Sequence, residues 1–523
     1  MSMPVFFPGI EDRINPIAVK EMRQAVKGKT IIWALMFFLA IQLVIIGAVL
    51  VLSEDIQQNF SVGRGIFSGL LGVLMAVCLL LLPAYTGFRV SSERSETNVD
   101  LFFITTLKPT SIIFGKTAAA MVITILFFSA SLPFMTLTYL LRGLDVPSML
   151  ILLALDFLIV TGAIQFGIFL GCLPGGLMNR IIRGLIGLGA LMSIFQMTLV
   201  ISIGFLSSGI GSSIGSWGFW GGALTVTAFI LLGIGALFIL AATAITPKSA
   251  NRAIGMRIYL FIVWIVTAVI AGIWSVETAD VYPMLAWMIT ITLLLCGNLF
   301  SSISERLEWG PRILRQIPRN PVLRPGAFLL FSGASGGIVY SIILIAATIL
   351  LTFIFINLGF SSLLYGNTVH TFMVGVCIGL YALCYALTAL TIRRVFFRHS
   401  SRTDITTLIV TLLIIAGTAV PAVIGFLSRT NSWERLSPMW YIGSPFVVIW
   451  WKDMWYECLA FTGIWAVCVI AITLPWIINQ FRSFKPVLTP TPEKPASPDS
   501  RSPGGEAGPA PAGQGGPQVQ NNG

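Results

Sequence analysis

The residues able to do chemistry are few: two histidines, seven cysteines and 21 acidic residues in 523 positions. His370 and His399 fall at opposite ends of one apolar stretch, so they cannot share a metal. The cysteines lie mostly inside apolar runs without C-x-x-C spacing and read as small core hydrophobes. No nucleophile–base pair or carboxylate dyad can be assembled from the spacing. No G-x-x-x-x-G-K-[ST] phosphate-cradling loop occurs, so the chain is not expected to hydrolyse ATP itself. Phe331-Ser332-Gly333-Ala334-Ser335-Gly336-Gly337 superficially suggests an ATPase signature loop. It opens an apolar run and reads instead as helix-packing glycines. One acid, Asp156, sits inside an apolar run. An acid there is costly and is a candidate intramembrane polar site; the alternative is a structural pair with Arg142.

The elements that must position these residues are membrane spans. The chain is 56% hydrophobic and 10% charged, with mean hydropathy +0.90. A soluble domain carries roughly a quarter charged residues, which excludes an ordinary soluble enzyme. Runs of about 20 apolar residues predict twelve helical spans, near 31–52, 66–88, 117–141, 149–173, 184–205, 219–245, 258–275, 283–302, 337–357, 371–392, 405–427 and 457–478. The first run begins at Thr30 behind a basic segment with no small-residue cleavage site after it, and reads as a retained span. The Trp-rich stretch Trp440, Trp450, Trp451 and Trp455 before the last span reads as an interfacial anchor.

Of the 32 lysines and arginines, 27 fall in the termini and the even-numbered loops. Only Arg64, Arg142, Arg429, Arg435 and Lys452 fall on the other side. Translocating basic loops is costly, so the basic side is expected to be cytoplasmic, with both termini there. The net charge of +11 then reflects topology and gives no reason to expect a nucleic-acid partner. The tail, 486–523, is rich in Pro, Gly, Ala and Asn and is expected to stay disordered.

Two segments on the basic side stand out. In the first 30 residues, Ala18, Val19, Met22, Ala25 and Val26 share one helical face, with Lys20, Arg23, Gln24 and Lys27 opposite and Glu21 among them. Such an amphipathic basic helix should lie in the headgroup region; a plain topogenic flank is the alternative. The second is the stretch Ser91–Pro109 after span two. Thr97 and Asp100 have capping-box spacing, Leu101, Phe102, Phe103 and Leu107 form an apolar display, and Pro109 should stop that helix. Thr110 or Ser111 would cap the next one. A short apolar helix in such a loop needs the membrane interface or a groove on another protein.

This second segment resembles the coupling-helix region of ABC-2-type ABC transporter permeases, a pattern running E-R-x-x-G-T-L-E-L-L-L-T-T-P-L-S-P and then Gly-Lys. Glu93 and Arg94 fall on its E-R pair, Asp100 on the acidic position and Leu101 to Phe103 on the aliphatic run. Thr105, Leu107 and Pro109 fall on its end, and Gly115-Lys116 on the Gly-Lys. Asn15-Pro16 with Lys20-Glu21-Met22-Arg23 is similar to the N-P-x-x-x-K-E-x-R start of those permeases. Thr97-Asn98 stands where the pattern has Gly-Thr, and Thr106 where it has Pro. The motif match covers residues 15–116, and the six-span layout extends it to about 246.

The resemblance implies an all-α polytopic permease subunit of an ABC exporter in a bacterial inner membrane. A separate cytoplasmic ATPase would carry ATP and Mg and couple through the 93–108 segment, with membrane lipids and a second permease copy as the further partners it allows. It implies an N-terminal helix over 1–30, a permease half over 31–246, and leaves 247–485 as a second six-span half. Ser304-Glu305-Arg306 after span eight echoes Ser92-Glu93-Arg94 after span two and hints at duplication. Two rival classes stay open: an ion-gradient-driven carrier of six plus six spans, and a non-transporting scaffold or regulatory subunit. Substrate is not legible.

Overall fold

The computed structural model describes residues 19, 23, 28–52, 60–93, 108–140, 146–208, 215–247, 250–359, 367–397, 404–427 and 438–486. Within them the chain is an all-α polytopic membrane protein with twelve helices long and apolar enough to cross a bilayer. These are α1 Lys29–Leu52, α2 from Phe60 to Glu93, α3 Pro109–Leu140, α4 Val146–Cys172, α5 Leu177–Ser208 and α6 Trp217–Ile245. They continue as α7 Ala253–Thr278, α8 Tyr282–Ile303, α9 Ala334–Gly359, α10 Asn367–Phe396, α11 Asp404–Leu427 and α12 Trp455–Ser483. Helix is what lipid demands, because only it satisfies every backbone polar group within the segment.

Several helices overrun the apolar windows that reveal them. α5 begins at Leu177, ahead of Arg180 and Arg183, and α2 reaches Glu93, so Ser91-Ser92-Glu93 is its last turn and not loop. α3 begins at Pro109 itself, so Thr110 and Ser111 lie inside its first turn and do not cap it. Proline suits that place, since the N–H it lacks would have no helical acceptor.

α2 runs as Phe60–Ala76, a π-turn Val77–Leu81, and Leu82–Glu93. The π-turn sits just before Pro83, which can neither donate to the ladder nor tolerate the carbonyl four residues back. Widening the ladder there keeps the helix continuous. α2 then seats directly on α4. A Cβ on Gly87 would lie 2.6 Å from the Gly167 carbonyl oxygen, and one on Gly167 would collide with the carbonyl of Pro83. Gly171 closes the seam against Gly87 and Val90. Close backbone approach through small residues is how helices gain contact in lipid, where no hydrophobic effect drives them together.

Neighbour relations follow a regular order. α2 packs along α4 and α4 along α6; α8 packs along α10 and α10 along α12. α5 also touches α2, as α11 touches α8, and α3 touches α6, as α9 touches α12. The two sets meet at α6 and α7, where Trp274 Nε1 donates to Thr225 Oγ1 (2.8 Å) and Tyr259 OH to the Leu232 carbonyl (2.6 Å).

The stretch before α12 is a strap of short helical turns, Pro438–Tyr441, Val447–Trp450 and Lys452–Met454. It is tied to α10 by Tyr381 OH on the Ile442 carbonyl (2.6 Å), by Tyr385 OH on that of Gly443, and by His370 on that of Val448 (3.1 Å). Of the four tryptophans expected to anchor it at an interface, Trp440 and Trp450 are exposed, and Trp451 and Trp455 pack against the core. His370 therefore has a structural task, and His399 lies outside the described residues.

The α2–α4 seam makes a quantitative expectation. Gly167→Ala should cost about 1–3 kcal/mol through overpacking, lowering the thermal midpoint of the purified protein and its abundance in membranes. Gly233→Ala on α6, where a Cβ meets nothing within 4 Å, should change neither.

Candidate functional site

Of the residues singled out in the 93–109 segment, Glu93 and Pro109 are described; Arg94, Asp100, Leu101, Phe102, Phe103 and Leu107 lie outside the described residues. So do Lys20, Glu21 and Lys27 of the N-terminal helix, whose Arg23 is helical and exposed, and the tail beyond residue 486. What the structure places is the frame around the first segment. Glu93, at the end of α2, pairs with Lys116 on α3 and more loosely with Arg89 one turn back (3.5 Å). Lys116 is largely buried. The chain from 94 to 107 is thus strung between two helices whose ends are clamped together by an ion pair. The Glu93 carboxylate, on the E-R pair of the resembled pattern, is thus engaged inside the chain.

Asp156 is on the buried face of α4, 2% exposed. Ser202 Oγ on α5 donates to its Oδ1 at 3.4 Å, and Oδ2 has no hydrogen-bond partner within the described structure. The partner weighed for it, Arg142, lies outside the described residues. Gln165, further along α4, accepts from Thr117 Oγ1 on α3 at 2.8 Å. The two polar residues are nine positions apart, which is about 13 Å of rise and the opposite side of the helix. They do not form one site.

Sequence reasoning missed the most elaborate polar assembly. Arg257 had been counted among loop charges, but it lies within α7 and is 1% exposed. Its Nη2 pairs with Glu305 Oε1 at 2.8 Å, and its Nη1 donates to the carbonyls of Leu329 (3.0 Å) and Phe331 (2.5 Å). Glu305 Oε2 accepts the Gly333 amide at 2.5 Å, just ahead of α9. Arg393 on α10 donates to the Ile303 carbonyl (2.9 Å) and that of Glu305 (3.3 Å), satisfying the exposed end of α8. Tyr340 OH on α9 bonds the Arg257 carbonyl at 2.6 Å. Burial pushes the Glu305 carboxyl above its ordinary value, and Arg257 and the Gly333 amide pull it back down in part. The glycines read from sequence as packing residues do pack here: a Cβ on Gly336 would strike the Phe328 carbonyl, and one on Gly337 would strike Arg257 and Ser302.

This assembly anchors a folded link between α8 and α9. Short helices Pro311–Leu314 and Arg324–Leu330 enclose Ile313, Ile317, Phe328 and Phe331 with Phe484 from the end of α12. Trp309 and Phe484 meet at a tilt of 57°, with ring centres 4.8 Å apart. The signal available in the sequence was the repeated Ser-Glu-Arg at the ends of α2 and α8. Both glutamates are in fact ion-paired to another span, Glu93 to α3 and Glu305 to α7.

Among the described residues no group of three or more His, Cys, Asp or Glu could hold a metal ion. All seven cysteines are free thiols, and all but Cys468 are buried. No protein-family model matches the chain, nor does any curated protein or solved structure.

Asp156 yields a test that needs no substrate. A buried carboxyl with one long hydrogen bond contributes nothing to offset its desolvation, which costs roughly 1–3 kcal/mol for a polar group without full partners. Asp156→Asn is therefore expected to leave the thermal midpoint at or above that of the unaltered protein. A clear drop would mean that Asp156 has a structural partner, as a pair with Arg142 would give.

Proposed function

We propose that the chain is the membrane-spanning subunit of an ATP-driven transporter whose ATPase, with its ATP and Mg, is a separate protein. A multi-span helical membrane protein is the established part. The observation that carries the finer reading is the clamp between Glu93 and Lys116. The segment resembling a coupling helix is delivered by two spans fixed to each other. One of these, α2, is seated backbone to backbone on α4. A displacement of residues 94–107 by a bound ATPase would move α2 and α4 as a body. A free loop would dissipate it.

The repeated neighbour order, with α2, α4 and α6 in one series and α8, α10 and α12 in the other, supports two fused six-span halves meeting at α6 and α7. The basic bias of the even-numbered loops supports both termini in the cytoplasm of a bacterial cell and the ATPase on that side. The resemblance favours export. A second reading, an ion-driven carrier, draws on the unpartnered oxygen of Asp156, since intramembrane acids often carry protons or cations. Against it, Asp156 and Gln165 face different neighbours and do not converge.

The test is co-purification of the ATPase with the tagged full-length protein. Phe102 and Phe103 would each contribute about 1.5–3 kcal/mol if buried in an ATPase groove. Phe102→Ser with Phe103→Ser should then weaken association by orders of magnitude, since about 1.4 kcal/mol is tenfold. Glu93→Ala should act less, and a change at Ser61 not at all. Normal insertion with undiminished ATPase binding and turnover would remove the coupling assignment.

A further inference from the structure

The link between α8 and α9 presents a surface that neither the fold nor the transport reading uses. It carries five arginines, Arg306, Arg312, Arg315, Arg319 and Arg324, against two acids, Glu305 and Glu308. Glu305 is already engaged by Arg257 and the Gly333 amide. At the far point of the link, Val322 and Leu323 are 80% and 58% exposed. They sit on a short turn, Pro321–Leu323, capped by Asn320, whose side chain accepts the Val322 amide at 3.1 Å. Arg324 donates to the Arg319 carbonyl at 3.0 Å, so the two arginines bracket the apolar pair.

The turn cannot bury this pair by folding back, because the link is fixed behind it by the Arg257–Glu305 assembly and its own core. At this end of the bundle, among the described residues, every other exposed large apolar side chain lies on a spanning helix or on the residue after one. Exposure on a spanning helix is what lipid would cover, whereas the pair on the link needs its own account. The link leaves α8 directly after Ile303 and returns to α9 at Ala334, which keeps it at the level where spans leave the hydrocarbon.

The geometry points to a docking surface for anionic phospholipid headgroups: Val322 and Leu323 enter the interface, and Arg315, Arg319 and Arg324 engage headgroup phosphates around them. Guanidinium matches phosphate with two parallel hydrogen bonds. A basic cluster at the membrane surface gains from anionic lipid, and apolar side chains set among the charges gain from the interface. A protein partner would also fit an apolar pair, but five arginines against one unengaged acid call for an anionic occupant, and a link that starts and ends at two spans is placed beside lipid phosphate.

The experiment uses the full-length protein in nanodiscs, where both membrane faces are open, so its outcome does not depend on orientation or on the transport reading. Leu323→Cys is reacted with a polar maleimide in discs of phosphatidylcholine alone or with phosphatidylglycerol added. Background is set by the unaltered protein, whose cysteines are buried except Cys468, within α12. The expected result is labelling slowed roughly tenfold by phosphatidylglycerol. Arg315→Gln with Arg319→Gln should abolish that protection; both side chains are exposed, so the fold should hold. Tryptic cutting after Arg315 and Arg319 in the unaltered protein gives a second readout and should slow in the same discs. Equal labelling and cutting in both lipids would overturn the proposal. So would protection in both lipids that ignores the arginine changes, or protection that appears only when the ATPase is added.

Discussion

A guanidinium inside a membrane bundle must be neutralised where it lies, and around Arg257 the second half of the chain is arranged to do that. Removing its charge from water costs several kcal/mol, which only close pairing and filled hydrogen bonds return. Glu305 supplies the charge, and the Leu329 and Phe331 carbonyls supply acceptors. Those partners come from the end of α8 and from the link that precedes α9. Satisfying Arg257 therefore fixes α7, α8, the link and the start of α9 relative to one another. Arg393 adds α10 by bonding the last carbonyls of α8. The aromatic cluster of Trp309, Phe328 and Phe484 adds the end of α12. The exposed turn at Val322 and Leu323 projects because everything behind it is held.

The first half uses a lighter version of the same device. Glu93 and Lys116 pair at the ends of α2 and α3, with Glu93 partly open to solvent. Such a pair is worth about 1 kcal/mol or less. The rigidity of that half comes from the glycine seam between α2 and α4 instead. A light clamp beside a stiff pair of helices keeps α2 and α3 together at this end, whereas the more enclosed Arg257–Glu305 pair fixes a folded link.

The fold was legible because lipid imposes a length on every span, and hydropathy reports that length directly. All twelve spans were readable. What hydropathy could not show is where helices continue beyond the hydrocarbon. Arg180 and Arg183 look like loop residues, yet backbone hydrogen bonding carries α5 through them. Thr110 and Ser111 looked like caps, but Pro109 itself opens α3, and a proline at a helix start is not told from one before a cap without the turn's geometry. The Arg257–Glu305 pair was illegible for another reason: 48 residues separate the partners. Arg257 was indistinguishable from the topogenic charges beside it, and nothing local marks which arginine turns inward. Asp156 was legible as an anomaly, because an acid in an apolar run stands out, but its single bond to Ser202 was not.

The claim on which the rest stands is that Arg257 and Glu305 act as one unit, and a double-mutant cycle on the purified protein measures it. Glu305→Ala should cost about 3–5 kcal/mol by leaving the buried Arg257 charge uncompensated, and Arg257→Met should cost less, because Glu305 is partly exposed and keeps the Gly333 amide. The double variant should cost less than the sum by about 1–3 kcal/mol, and in both single variants protease should reach the link between Arg306 and Gly333. Additive losses, with the link still protected in each single variant, would show that the pair does not organise this end of the bundle.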